Sequence, residues 1–363
     1  MRVLFIGKRF YTNRDAYTER FGRIYRLPFW WAKAGHEVDL WLIDYHGRDV
    51  GVTQDGALKV ETTPVLRWRF FKRWISACFN RRSVRRPDII VASGDCYIGL
   101  LGYMVARLRR AKFVFDVYDR YDLFDGYRRL LGFDPQTFLV RNADLVSFAS
   151  AAVLDELRQL ARDAALVPNG IDLSLFQPLP MRDSRKKFDL PDEVPLIGYF
   201  GSMEVDRGVG DLIDAVAGLV DQGIQICLVI GGKANSEINL EYSWVRYLGN
   251  LDYKQMPSAL ASCDLLALPY RQSEFMDQGA SCKIAEYIAV QRPVVATRTQ
   301  NLVRNFPKQA VELDDLLATP GDAKDLGRCI VGQLSERRLV SLPKGLDWRE
   351  ISQRALVDVS KRS

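Results

Sequence analysis

The chain has little of the chemistry that metal centres and hydrolytic triads need. It contains two histidines in 363 residues, too few for a histidine-based metal centre and a poor basis for a Ser-His-Asp triad. No two aspartates are separated by a single residue, so a metal site of the Asp-x-Asp type is absent. We therefore expect that the protein requires no metal and no cofactor.

Disulfides and long apolar runs are also lacking. The six cysteines are scattered without a Cys-x-x-Cys pair, which predicts reduced, buried thiols. No apolar run approaches the roughly 20 residues that span a bilayer. The first ten residues, MRVLFIGKRF, hold too short an apolar run for a signal peptide, so they predict a first strand. We expect a cytoplasmic protein.

What is present is the composition of a globular protein, 48% hydrophobic and 26% charged, with a length that favours two domains. Short apolar runs alternate with helical stretches, which is typical of α/β folds with parallel sheets. Residues 177–191 carry three prolines and a basic run, and we interpret them as the interdomain connection. The predicted strands lie at residues 2–6, 37–43, 58–65, 88–92, 112–117, 144–148, 165–167, 196–200, 225–230, 244–248, 265–269, 293–296 and 310–313.

Residues 264–298 form the most informative of these units. Two unalternating apolar strands flank a polar loop and a helix, which is the pattern of a βαβ unit buried on both faces. The loop opens at the carboxyl edge of the sheet, where the next helix directs its unpaired N–H groups. A phosphate would fit at Gly279, Ala280 and Ser281, with Lys283 and Glu286 on the helix. The alternative is an ordinary crossover whose charged residues are merely solvated.

Five fragments carry a family resemblance. They are AKAGHEVDLW (32–41), LVPNGIDLSLFQP (166–178), GYFGSMEVDRGVGDLIDAV (198–216), VRYLGNLDYKQMPSALASCDLLALPY (245–270) and KIAEYIAVQRPVVAT (283–297). In this order and spacing the chain resembles the GT-B retaining glycosyltransferases, family 4 in particular. The resemblance implies two Rossmann-like domains facing a cleft. An acceptor-binding domain would comprise residues 1–176 and a nucleotide-sugar-binding domain residues 185–346, with residues 347–363 crossing back to the first domain.

The resemblance also implies cations for the donor diphosphate, whose charge grows as the sugar leaves. Family members carry an Arg and then a Lys in the loop after the first strand of the second domain. Here Ser202 stands at the Arg position and Arg207 at the Lys position. Lys283 or Arg271 could replace the missing cation. A solvent-exposed Arg207 at a helix start is the alternative.

An acidic motif of the family is altered as well. Glu286 matches the glutamate that binds the nucleotide ribose, since a carboxylate can accept two hydroxyls at once. Gln278 stands where the family has a second glutamate near the transferred sugar. Gln can bond a hydroxyl but cannot balance positive charge on the ring, so the stereochemistry of transfer is open.

The catalytic question therefore moves to FDVYDRYDLFDG, residues 115–126. This segment follows an apolar strand, so Asp119 should lie at the mouth of the cleft, where it could act as general base. Alternatively, Asp119 and Asp122 cap a helix or pair with nearby arginines. Residues 11–23 replace the glycine-rich loop of the family, and Arg14, Arg20 and Arg23 could still approach a phosphate.

Residues 65–87 mix eight cations and five large aromatics with no acid. This mixture suits the surface of an anionic bilayer. A core helix with a solvated basic edge and a nucleic-acid patch are the rival interpretations. The candidate acceptor or membrane residues are Arg67, Trp68, Arg69, Phe71, Lys72, Arg73, Trp74, Arg81, Arg82, Arg85 and Arg86.

Together these features predict a peripheral membrane glycosyltransferase at the inner face of the plasma membrane. Its partners would be a nucleotide sugar and, on the acceptor side, a lipid-linked saccharide and an anionic membrane surface; no nucleic acid is expected. A protein of the same fold that binds nucleotide sugars without catalysis is the alternative from another class. A soluble small-molecule acceptor is the alternative within the enzyme class.

Overall fold

The computed structural model describes residues 1–11, 14–47, 50–65, 68–79, 86–123, 126–129 and 132–360. The chain divides into two compact units, Met1–Gly170 with Gly345–Ser363 (unit 1) and Ile171–Lys344 (unit 2). Among the helices in the described ranges, none is both long enough and apolar enough to cross a membrane.

Unit 1 is built on an eight-stranded sheet in the order β10-β9-β8-β7-β1-β4-β6-β5. Every pairing in this sheet is parallel except the antiparallel one between β5 and β6, and β2 and β3 form a separate small ladder. The strands are β1 (Arg2–Lys8), β2 (Phe10–Tyr11), β3 (Arg14–Asp15), β4 (Glu37–Asp44), β5 (Gly51–Asp55), β6 (Leu58–Pro64), β7 (Ile89–Ser93), β8 (Lys112–Val117), β9 (Leu145–Phe148) and β10 (Ala164–Leu166).

Helices cover this sheet on both faces, which explains why its central strands are apolar without alternation. All five residues of β7 are buried, and the side chains of unit 1 form two separate core clusters. The helices that supply them are α1 (Gly22–Lys33), α2 (Trp68–Phe79), α3 (Cys96–Arg109), α4 (Pro135–Asn142) and α5 (Ala151–Leu157).

Unit 2 holds a six-stranded parallel sheet in the order β13-β12-β11-β14-β15-β16. Its strands are β11 (Leu196–Phe200), β12 (Cys227–Gly231), β13 (Val245–Tyr247), β14 (Leu265–Leu268), β15 (Val294–Thr297) and β16 (Leu317–Ala318). Its helices are α6 (Met181–Lys187), α7 (Val209–Asp221), α8 (Met256–Ala261), α9 (Glu274–Gln278), α10 (Lys283–Ala289), α11 (Gln300–Asn305), α12 (Pro307–Leu313) and α13 (Ala323–Glu336). The α/β class with two parallel sheets is confirmed.

The last helix, α14 (Trp348–Ser360), packs in unit 1 against α1. The indole N–H of Trp31 donates to the carbonyl of Ser352 at 2.9 Å. Gly170 permits a close approach, because a Cβ there would lie 2.7 Å from the Trp348 ring. The chain end is therefore part of the unit in which the chain begins.

Two secondary-structure predictions in unit 2 are wrong. The strand predicted at residues 310–313 is the end of α12, where Ala310 and Leu313 are buried one turn apart while Val311 is 77% exposed. The segment 177–191, interpreted as a linker, contains α6. Arg185 of this helix is buried and donates to Asp264 at 2.5 Å and to the carbonyl of Ser262 at 3.0 Å. Because Arg185 stands among other basic residues in a proline-rich stretch, the sequence does not indicate that its side chain is buried.

Candidate functional site

The strand order of unit 2 reverses between β11 and β14. From β11 the chain moves outward to β12 and β13, then returns to add β14, β15 and β16 on the other side. The loops that leave the carboxyl ends of the two central strands diverge at such a point and leave a crevice, where α/β proteins bind ligands. The loop after β11 carries Ser202 and Arg207, and the loop after β14 carries Arg271 and residues 278–281.

These two loops are in direct contact. Gly208 has a φ of +67°, and a Cβ there would lie 1.7 Å from the carbonyl oxygen of Pro269. Only glycine fits both the conformation and the spacing. Within the segment after β14, the hydroxyl oxygens of Tyr270 and Ser281 lie 3.2 Å apart, within hydrogen-bond distance.

Arg207 lies in this contact, with its guanidinium carbon 5.3 Å from the centre of the Tyr270 ring. Burial works against the charged guanidinium, but the nearby Tyr270, Tyr199 and Glu204 outweigh it, so the pKa of Arg207 lies above its ordinary value. The side chain therefore stays charged. The neighbouring Ser202 is half-buried, and its carbonyl accepts a hydrogen bond from the Tyr199 hydroxyl at 2.6 Å.

Lys283, the first residue of α10, extends to the other loop. Its Cε and Nζ atoms lie 2.9 and 3.2 Å from the position that a Cβ on Gly201 would take. Thus Arg207 lies in the loop after β11 and Lys283 lies beside that loop. Neither forms an ion pair with a carboxylate in the part of the chain that the structure describes. Two cations without an ion pair in the described residues are suited to an anionic ligand at this edge.

Arg271 does not provide a third such cation. Its Nε and Nη2 atoms each donate to a different oxygen of Asp211, both at 2.7 Å. This bidentate pair neutralises the guanidinium and occupies its fork. The prediction that Arg271 could replace the missing family cation stays a prediction, and Lys283, which has no such ion pair in the described residues, is the better candidate.

The predicted phosphate cradle also needs a correction. The amide of Gly279 donates to the carbonyl of Met276 at 3.3 Å, so it ends α9 and does not face a ligand. The helix after the loop begins at Lys283, later than expected. Ala280 and Ser281 lie half-buried between the two helices, and the amide of Lys283 donates to Ser281 Oγ at 3.4 Å. Their binding roles stay predictions.

Glu286 lies one turn into α10 and is buried. The Cys282 thiol donates towards its Oε1 atom at 3.8 Å. Burial and the Glu286 carboxylate raise the pKa of Cys282, so this thiol stays protonated. Lys283 and Glu286 are three residues apart on one helix, and so lie on the same side of it. Gln278 is the last residue of α9 and is half-buried.

In unit 1, Asp119 follows the end of β8, as predicted. It is half-buried, and the amide of Arg120 donates to its Oδ1 atom at 2.9 Å. Asp122 has a structural position, because Arg120 binds its two oxygens at 2.7 Å each and Gln136 donates to it at 3.1 Å. The pairing alternative is thus confirmed for Asp122.

A buried polar network in unit 1 has no counterpart among the sequence motifs. Arg23, at the start of α1, donates to both oxygens of the buried Asp116 at 2.7 and 2.6 Å. Ser93 and Ser147 donate to the same carboxylate at 2.7 and 2.5 Å. Breaking a buried pair of this kind typically costs about 3–5 kcal/mol of stability. The sequence feature that could have indicated this network is Asp116, a carboxylate among the apolar residues of β8.

This network removes Arg23 from the candidate phosphate contacts, because its guanidinium is buried and paired. Arg14 and Arg20 are also paired, with Glu19 at 2.7 Å and Asp55 at 3.1 Å. The segment 11–23 therefore uses its arginines for folding. In the described ranges, no group of three or more His, Cys, Asp or Glu side chains is arranged to hold a metal ion.

The basic-aromatic segment forms α2, a helix with two apolar faces. Phe70, Trp74 and Cys78 pack inward. Trp68, Phe71 and Ile75 point outward and are 76%, 39% and 47% exposed. They recur at helical spacing and form one outer stripe.

The cations of this segment differ among themselves. Arg69 and Lys72 are exposed beside the outer stripe. Arg73 is buried, 3.0 Å from Glu61 and against the Trp41 ring, so its assignment to a membrane or acceptor surface is wrong, and Trp74 packs inward. Arg86 donates to the carbonyls of Arg109 and Arg110 at the end of α3. Arg67, Arg81, Arg82 and Arg85 lie outside the described residues.

Two family models match the chain and agree with this geometry. The glycosyl transferase 4-like domain matches residues 23–170, and the glycosyl transferases group 1 domain matches residues 194–336. The chain belongs to the group 1 glycosyltransferases of GT-B fold, as the sequence motifs predicted.

Among curated proteins, the chain is similar to a 2-deoxystreptamine glucosyltransferase of Streptomyces kanamyceticus, at 26% identity over 53% of this chain and 51% of that protein. It is also 26% identical to a protein of Bacillus subtilis named as the teichuronic acid biosynthesis glycosyltransferase TuaC, over 73% of this chain and 67% of that protein. The match thus spans about half the length of the first relative and two thirds of the second.

Among solved structures, Anabaena HepE in complex with UDP-glucose aligns with a TM-score of 0.70 and 18% identity, over 99% of this chain and all of that one. Sucrose-phosphate synthase of Thermosynechococcus elongatus aligns with a TM-score of 0.69 and 18% identity, covering 99% of this chain and 97% of that one. At this identity the alignments show the fold.

Proposed function

We propose that this protein transfers a sugar from a nucleotide-diphosphate donor to an acceptor hydroxyl. The observation that carries the proposal is that Lys283 lies beside Gly201 in the loop that carries Arg207, and neither cation forms an ion pair with a described carboxylate. A diphosphate would supply the missing negative charge. Family membership supports the same reaction.

The chemistry follows from where charge develops. As the bond between the anomeric carbon and the phosphate oxygen breaks, negative charge grows on the diphosphate, and Arg207 and Lys283 stabilise it in place of a metal ion. The Glu286 carboxylate accepts the two ribose hydroxyls of the nucleotide. Gln278 hydrogen-bonds the transferred sugar. The donor site so defined lies within unit 2 and requires no divalent ion.

Unit 1 then binds the acceptor, and Asp119 takes the proton from its attacking hydroxyl. We propose a lipid-linked saccharide as the acceptor. A similar stretch in a Corynebacterium glutamicum protein, named as a mannosyltransferase of monoacylated phosphatidylinositol monomannoside, supports a lipid acceptor, at 29% identity over 29% of this chain. The aminocyclitol named in the Streptomyces relative supports a small soluble acceptor, which is the competing proposal.

A donor panel tests the proposed activity. The purified protein is incubated with UDP-, GDP- and ADP-sugars, with and without a bacterial lipid extract, in buffer containing a chelator. We expect release of one nucleoside diphosphate that increases when the extract is added, together with sugar incorporation into the lipid phase. Binding of a donor without transfer to any acceptor would favour the non-catalytic alternative, and transfer only to water-soluble acceptors would refute the lipid assignment.

The outer stripe of α2 leads us to propose that unit 1 docks on an anionic membrane at the cytoplasmic face. The inner face of α2 packs against the core, whereas Trp68, Phe71 and Ile75 are exposed in the part of the chain that the structure describes. Exposed rings beside Arg69 and Lys72 complement a surface that is apolar below and anionic at the headgroups. The core interpretation of the segment explains only the inner face.

Vesicle sedimentation tests this docking. We expect binding to phosphatidylglycerol-containing vesicles that falls about 30-fold in Arg69→Ser/Lys72→Ser, since each of the two cations near the surface contributes roughly 1 kcal/mol. Trp68→Ser should weaken binding comparably. The matched control is Lys186→Ser/Lys324→Ser, which removes two exposed cations of unit 2. Equal binding to neutral vesicles, or equal losses in the control, would contradict the proposal.

A further inference from the structure

Two aspartates of the segment that runs from β11 into α7 form hydrogen bonds with the loop after β14. Asp211 in the first turn of α7 holds the Arg271 guanidinium through two bonds of 2.7 Å. The backbone carbonyl of Asp206 accepts a hydrogen bond from the Arg271 amide at 3.0 Å. The Oδ2 atom of Asp206 accepts one from the Ser273 hydroxyl at 2.7 Å. Both aspartates lie on the segment that carries Arg207.

Arg207 is thereby fixed on both sides along the chain. Its preceding residue, Asp206, is bonded to Arg271 and Ser273, and its following residue, Gly208, lies against Pro269. Its side chain rests on the ring of Tyr270, which belongs to the same partner segment. A cation with a long, flexible stem is thus held at three points by residues 269–273.

We propose that Arg271 is a positioning residue whose pair with Asp211 holds Arg207 in place for the donor diphosphate. This inference rests on the proposed function. In this proposal Arg271 acts through Arg207, because Asp211 binds its Nε and Nη2 atoms and so fixes the loop on which Tyr270 contacts Arg207.

Two other features fit this role. Lysine cannot reproduce the bidentate geometry, so Arg271→Lys should behave nearly like Arg271→Ala. Asp211→Asn keeps the shape of the side chain but removes the charge, and should give the same loss of ligand affinity. If Arg271 contacted the phosphate directly, Arg271→Lys would instead keep most of the ligand affinity. Asp211→Asn would then leave the affinity unchanged.

A double-mutant cycle between Arg271 and Arg207 tests the inference. Calorimetry with UDP, GDP and ADP first identifies the nucleoside diphosphate that the wild-type chain binds most tightly. With that ligand we expect Arg207→Ala to weaken affinity about 30-fold and Arg271→Ala about 10-fold. In the Arg207→Ala background, Arg271→Ala should change affinity less than about twofold. Arg328→Ala, which breaks the exposed pair with Asp325, is the matched control and should bind like wild type.

The outcomes separate the inference from the function beneath it. Equal losses from Arg271→Ala in both backgrounds, or no loss in either, would overturn the positioning role while leaving the donor site intact. Failure of the wild-type chain to bind any of the three nucleoside diphosphates would overturn the proposed function as well. Thermal denaturation of each variant shows whether the chain is folded, and an affinity loss that follows the fall in Tm across variants would count against positioning.

Discussion

Replacing both Arg207 and Lys283 with alanine is expected to lower kcat/KM by about 10⁴-fold, the largest effect we predict in unit 2. Removing one preorganised donor from a site where charge develops typically costs about 10²–10³-fold. Each single variant should therefore lose about 10²-fold. The loss of about 10⁴-fold expected for the double variant is the product of these two single losses.

The measurement is initial-rate kinetics on the active donor, with nucleoside diphosphate affinity measured in parallel. Lys186→Ala/Lys324→Ala provides the control, since it removes two exposed cations of the same unit. The control should keep wild-type kinetics and shows that net charge alone is not responsible. A double Arg207 and Lys283 variant that stays within tenfold of wild type would refute the donor site.

Much of this site is accessible from the sequence because it depends on local pattern. Unalternating apolar strands predict parallel strands, and the carboxyl ends of parallel strands meet at one edge, so the order of elements alone brings Arg207 and Lys283 to the same edge. The same reasoning locates Asp119 after β8. Element type and order are local properties, and these predictions are confirmed by the two sheets.

What the sequence could not predict is which charges are already paired. Arg271 and Arg207 look alike in the sequence, yet one is bound by Asp211, 60 residues away, and the other forms no ion pair with a described carboxylate. Arg23 finds Asp116 across 93 residues, and Arg73 finds Glu61 although its own segment has no acid. Such pairs depend on tertiary packing, so the composition of a segment overstates the charge it offers to a ligand.

The same limit applies to Asp119, for which the competing interpretations are a general base and a structural carboxylate. The pairing alternative describes Asp122, whose oxygens are bound by Arg120 and Gln136. For Asp119 one contact is the hydrogen bond from the amide of the next residue, and the side chain is half-buried at the carboxyl edge of the sheet.

Asp119→Asn should therefore lower kcat by about 10³-fold, within the usual contribution of a general base, while donor affinity changes less than twofold. Asparagine keeps the shape and the bond from the Arg120 amide but cannot take the acceptor's proton. Asp122→Asn is the matched control: breaking its pair with Arg120 should lower Tm, whereas kcat of the folded protein stays within a few-fold of wild type. Near-normal turnover in Asp119→Asn would assign Asp119 to structure.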